Sequence, residues 1–161
     1  MRATILAMGL ALLCSPALAQ TVTLAGLDGQ TGTLSSADIA ALPQIKLTLD
    51  VHGETHAYEG PLLSDVVAKV GAPVGKALHG EALADVVIVK GADGYQVAFG
   101  LGETDPAIRP NRIILADRVD GHALDAKEGP FRIVVEGDLK PMRSARMVVS
   151  IGVVKLVAGK P

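Results

Sequence analysis

The sequence predicts an α+β domain dominated by β-structure, on three observations. Short alternating or β-branched runs recur along the chain, each bounded by a Gly, Pro or Asp turn signal. Helical spacing is confined to a few short stretches, with Leu62 to Val70 the clearest. Strands and helices come in mixed order, with no internal repeat, low-complexity tract or linker, which is the pattern of one α+β unit.

Thr21 to Leu24 alternates polar and apolar residues and reads as a short strand. Ser35 and Asp38 fit a capping box, which places a helix over Ala37 to Leu42, ended by Pro43. Lys46 to Val51 and Thr55 to Glu59 form a hairpin about the turn His52-Gly53-Glu54. Gly60-Pro61 breaks the chain before the second helix, Leu62 to Val70, for which Gly71 is a natural stop. Asp85 to Lys90 and Tyr95 to Phe99 make a second hairpin across Gly91-Ala92-Asp93-Gly94. Arg112 to Ala116 is a further strand, and Asp120-Gly121 marks a turn. Phe131 to Glu136 is an apolar run typical of a strand buried on both faces. Leu139 to Arg146 is basic and irregular, and Met147 to Leu156 closes the chain as the last strand. The expected total is seven or eight strands and two or three short helices.

The amino-terminal segment predicts export. Met1 and Arg2 precede a mostly apolar run from Ala3 to Leu13, and Ala17-Leu18-Ala19 supplies a small-x-small cleavage site. A bilayer-spanning helix needs about 20 apolar residues, more than this run holds. Residues 1–19 are therefore expected to be a signal peptide, with 20–161 forming a single domain in the periplasm. Cys14 is the only cysteine, and Leu13 before it is not the small residue that lipid attachment requires. Its removal leaves no disulfide, no thiolate metal ligand and no cysteine nucleophile. Losing Arg2 takes the basic count from 15 to 14 against 17 acidic residues, a net charge of −3. That balance, with no Trp and only two Tyr and two Phe, argues against a nucleic-acid partner. No later run is long and apolar enough to predict a membrane span.

The chain holds no G-x-S-x-G, H-E-x-x-H, Walker loop or dinucleotide fingerprint. Gly71 to Lys76 resembles a phosphate loop only loosely, with the wrong spacing. His52 and His56, with Glu54 and Glu59, are of metal-ligand type, but residues four apart across a glycine turn do not converge as they do on a helix. A polar, solvated hairpin end is the expected reading. The basic cluster Arg132, Lys140, Arg143 and Arg146 is the stronger candidate, because planar guanidinium groups fork onto phosphates and carboxylates. Backbone N–H groups around Ser144 and Ala145 would add donors. Arg132 opens an apolar strand, so its charge is expected to point to a sheet end rather than into the core.

Five segments in order resemble sulfite-oxidase-type molybdopterin-binding domains. They are Tyr58 to Leu62, Ala92 to Phe99, the stretch Leu115-Ala116 to Asp120-Gly121 and Leu124, Gly129 to Val135, and Arg146 to Val154. The resemblance implies a compact, β-rich mixed-sheet or barrel-like domain of that fold, built to hold a pterin. By the same resemblance Arg132 and the loop Ser144-Ala145-Arg146, with Arg143 beside it, are the ligand-binding residues. In the related enzymes a cysteine near the first hairpin binds molybdenum; here Leu49-Asp50-Val51-His52 stands in its place. No residue in that segment reproduces thiolate chemistry, so no molybdenum is expected. Glu128 stands where the enzymes often carry asparagine, and its charge disfavours a phosphate.

The expected function is that of an exported accessory or sensory protein holding a pterin or molybdopterin-like ligand. Partners of this kind include a membrane signalling protein, such as one controlling cyclic-di-GMP, or a redox protein. The alternatives are a molybdopterin-dependent oxidoreductase and a purely structural or interaction domain with a degenerate pocket.

Overall fold

The computed structural model describes residues 20–51 and 53–156. The expected signal peptide, Cys14 and His52 lie outside the described residues. Those described form a β-rich domain of eleven strands and two short α-helices. No helix among them is long and apolar enough to cross a membrane.

One sheet has five strands in the order β2-β1-β11-β5-β6. These are Thr31–Ser35, Thr21–Ala25, Val148–Val154, Val86–Gly91 and Gln96–Gly100. The first and last long strands, β1 and β11, pair in parallel, and the other pairings are antiparallel. A second sheet contains β3 (Gln44–Val51), β4 (Glu54–Pro61), β8 (Arg118–Val119) and β9 (His122–Ala123), in that order. Between the two lies an antiparallel ribbon of β7 (Ile113–Ala116) and β10 (Arg132–Val135). The sheets remain open, with β2 and β6 as edges of the larger one, so the barrel-like closure expected from sequence is replaced by layers.

The ribbon explains why two of the most apolar runs in the chain needed no polar face. Successive side chains of a strand point to opposite faces. Ile113, Leu115, Ile133 and Val135 enter the larger core, with Val87, Val89, Ile151 and the helix α2 (Leu63–Ala68). Ile114, Ala116 and Val134 enter a smaller core with Leu47, Leu49 and Tyr58. Both faces are dry, as a continuous β-branched run requires.

Several local expectations hold. Ser35 Oγ accepts from Asp38 N at 3.2 Å, and Ser35 N donates to Asp38 Oδ2 at 2.8 Å, closing the capping box of α1 (Ser36–Ala40). The hairpins β3–β4 and β5–β6 and the Asp120-Gly121 turn lie where the turn chemistry put them. Other boundaries move. The second helix is shorter than its apolar spacing suggested, because the chain tightens into i→i+3 bonds from Lys69 to Gly71. Gly60-Pro61 does not end the strand: β4 continues to Pro61, which pairs with Gln44. Glycine is needed there, since a Cβ at position 60 would lie 2.1 Å from the Leu115 carbonyl oxygen. The strand β2 carries one sizeable apolar residue, Leu34, too little for a periodic signal.

Candidate functional site

Arg132, Arg143 and Arg146 fall into three different environments. Arg132 is not at an exposed sheet end. It shares the β10 face of Val134, and its side chain is only 1% exposed in the smaller core. The sequence expectation fails because position 132 is opposite the small Ala116 and beneath Tyr58, a residue of a distant strand. Its guanidinium stacks 4.8 Å from the Tyr58 ring centroid, and Nη1 donates to the Tyr58 hydroxyl at 2.7 Å and to Glu128 Oε1. Burial pushes the Tyr58 phenol above its ordinary pKa, with the Arg132 charge pulling the other way.

Arg146 is half-exposed, and its Nε lies 3.7 Å from the same Glu128 Oε1. The two arginines thus converge, although β10 and β11 are not ladder neighbours. The link is made by the backbone: Ile133 N donates to Ala145 O at 2.8 Å, and Val148 N to Phe131 O at 2.8 Å. Met147 adopts φ +49° at the bend between them, a left-handed conformation costly for a non-glycine residue. It is held there because its N–H donates to Glu128 O at 2.8 Å and its carbonyl accepts from Ala92 N at 2.9 Å. That one residue ties together the Glu128 loop, the start of β11 and the β5–β6 hairpin.

Arg143 turns away from this group. It forks onto Asp138 at 2.7 and 3.0 Å, reaches Glu103 Oε1 at 3.3 Å, and stacks 5.2 Å from the Phe99 ring. The Asp138 bonds hold its pKa above the ordinary arginine value. Through these contacts the side chain anchors its loop to Asp138 and Glu103.

Ser144, Ala145 and Arg146 line one wall of a cleft of about 230 Å³, with Pro141 and Met142. Asp93 and Tyr95 of the β5–β6 hairpin form the other wall, where the Tyr95 hydroxyl donates to Met142 O at 2.7 Å. Ser144 Oγ and Arg132 Nε are both buried without a hydrogen-bond partner within the protein. Orphaned polar atoms of this kind are rare and call for an explanation such as an absent ligand or water. A larger groove, about 440 Å³, runs over the open face of the five-stranded sheet past Thr23, Ile88, Lys90 and Ser150. None of these lining residues has a buried unpaired polar atom, whereas Ser144 does, as does Asp117 beside two further clefts of about 180 and 200 Å³. The cleft at Ser144 is the stronger candidate because Ser144, Ala145 and Arg146 line it together.

Tyr58 and Tyr95 are the site residues that sequence reasoning did not single out. Their scarcity was the available signal: they are the only two tyrosines in the chain.

Of the segment matching the thiolate position, Leu49 packs in the smaller core, and Asp50 Oδ1 accepts from Thr55 Oγ1 at 2.6 Å. No group of three or more His, Cys, Asp or Glu able to hold a metal occurs among the described residues. His56 instead pairs through Nδ1 with Asp120 Oδ2 at 2.7 Å. That hydrogen bond raises the imidazole above its ordinary 6.5, with Glu54 and Glu128 adding to it, and lowers Asp120 below 3.8. The pairing is expected to stabilise fully below pH 6.5 and to be lost as pH rises through the raised His56 value. At the acid end it is lost as pH falls below 3.8 through the lowered Asp120 value. An NMR titration should place His56 above 6.5 in wild type and return it towards 6.5 in Asp120→Asn. Identical curves would show the contact to be absent in solution.

No family model matches the sequence, and no curated protein matches it. The strand layers give a β-rich domain whose fold is distantly sulfite-oxidase-like. Among the solved structures it resembles is the crystal structure of the sulfane dehydrogenase SoxCD from Paracoccus pantotrophus, at a TM-score of 0.64 and 17% sequence identity. The match covers 86% of this chain and 39% of that one, so the present chain spans well under half of the dehydrogenase chain.

Proposed function

We propose that the chain is an exported binding domain of the sulfite oxidase molybdopterin-binding fold, holding a pterin or molybdopterin-like ligand without molybdenum. In this reading residues 1–19 direct it to the periplasm, and it serves there as an accessory or sensory protein for a membrane signalling or redox partner. The supporting observation is Ser144 Oγ, a buried polar atom without a partner among the described residues, in the wall of a cleft that Arg146 also lines. A pterin edge carries the carbonyl and ring-nitrogen acceptors that such a donor lacks. Arg146 and Asp93 at the mouth provide one donor-rich and one acceptor group.

A second reading, a molybdopterin-dependent oxidoreductase, rests on the likeness to a dehydrogenase. Against it stands the missing thiolate: the only cysteine of the chain is Cys14. Calorimetric titration of a reduced pterin into the purified protein tests the first reading. Wild type should bind, and Arg146→Ala should bind about tenfold more weakly, the equivalent of one charge-assisted hydrogen bond. No heat with wild type would remove the pterin reading. About one molybdenum per chain by elemental analysis, the stoichiometry of a held metal centre, would favour the enzyme instead.

A further inference from the structure

Glu128 meets both arginines of the site at once. Its Oε1 accepts from Arg132 Nη1 and lies 3.7 Å from Arg146 Nε, while its Oε2 is within 3.4 Å of the Tyr58 hydroxyl. The side chain is only 19% exposed, and its backbone is fixed on both sides, by Asp125 through Glu128 N and by Met147 through Glu128 O. A buried guanidinium such as Arg132 requires a counter-charge. Here the chain itself supplies it, from a rigid loop only four residues earlier.

We propose that Glu128 is a built-in anion that fills the place where an acidic group of a ligand would meet Arg132 and Arg146. The cleft beside it is thereby restricted to ligands without a phosphate. This second part rests on the reading of the cleft as a ligand site; the filling of the place does not. Arg146 is the member of this group that also lines the cleft, where Asp93 lies on the other wall, so its guanidinium has Glu128 beside it and a further carboxylate across the cleft. Asp93 Oδ1 accepts from Tyr95 N at 2.9 Å, and its other oxygen suits a neutral ring bearing N–H donors, such as an unphosphorylated pterin. A phosphate at Arg132 would have to displace the Glu128 carboxylate from Arg132 Nη1 and from Arg146.

The test is rescue by small anions. Glu128→Ala should melt below wild type, and phosphate or formate, with ionic strength matched by chloride, should raise its Tm while leaving wild type unchanged. Glu59→Ala is the control, because among the described residues Glu59 forms its ion pair with exposed Lys46, and it should show no rescue. Phosphorus NMR should give saturable phosphate binding to Glu128→Ala about tenfold tighter than to wild type, one charge-assisted contact. If Glu128→Ala fails to fold, Glu128→Gln keeps the volume and loses the charge, and should likewise bind phosphate more tightly than wild type. Equal phosphate affinity of wild type and variant, or no rescue by either anion, would overturn the assignment. A protein that binds no pterin but shows the rescue retains the Glu128 assignment and loses the ligand reading alone.

Discussion

Arg132→Ala is expected to lower the stability of the folded domain by about 3–5 kcal/mol, the cost of breaking a buried ion pair from one side. The arginine is 1% exposed and Glu128 19%, so neither charge has water to replace its partner. Removal leaves Glu128 with the Tyr58 hydroxyl at 3.4 Å and half-exposed Arg146 at 3.7 Å, takes a donor from that hydroxyl, and empties the space under the Tyr58 ring. Each of these acts on folding before any ligand arrives. The larger effect of the substitution is therefore on stability, and ligand affinity is better probed at Arg146. Urea unfolding should show a lower midpoint with an unchanged slope, which separates lost stability from a changed denatured state. A loss under about 1 kcal/mol would mean that the pair behaves as an exposed one, and that Arg132 is not buried in solution.

Gly60→Ala is expected to cost about 3 kcal/mol, the upper end for overpacking a well-filled interior. At position 60 β4 crosses the ribbon so closely that a Cβ would sit 2.1 Å from Leu115 O and 2.6 Å from Ala116 Cα. Both are backbone atoms, so no rotamer change relieves the clash. The strand must lift, and Tyr58, two residues earlier, lifts with it from its 2.7 Å bond to Arg132. Thermal unfolding of Gly60→Ala and of Gly152→Ala makes the comparison, because a Cβ at 152 meets nothing closer than 3.8 Å. Equal melting temperatures for the two would show that the crossing has room to spare.

Much of the local structure was legible. The Ser35–Asp38 capping box, the turns at Gly53, Gly94 and Gly121, and the buried run of β10 depend on residues within a few positions of each other. The convergence of Arg132 and Arg146 was foreseeable as a possibility, from two basic residues on segments flanking one loop. Its form was not: the pairing of β1 with β11, the β4–β7 crossing and the edge strand β2 leave no short-range periodic trace.

The amino-acid sequence by itself determined where this chain turns, which runs are apolar on both faces, and that a basic cluster without a thiolate lies near its end. These follow from backbone preferences and side-chain alternation, which neighbouring residues set among themselves. Only the tertiary structure decided that Arg132 is buried, that Arg143 anchors its loop, and that Glu128 stands between Arg132 and Arg146. The partner that buries Arg132 is Tyr58, 74 residues away in sequence. A charge's environment is set by what long-range strand pairing brings opposite it, and that pairing is a property of the folded layers rather than of any local segment.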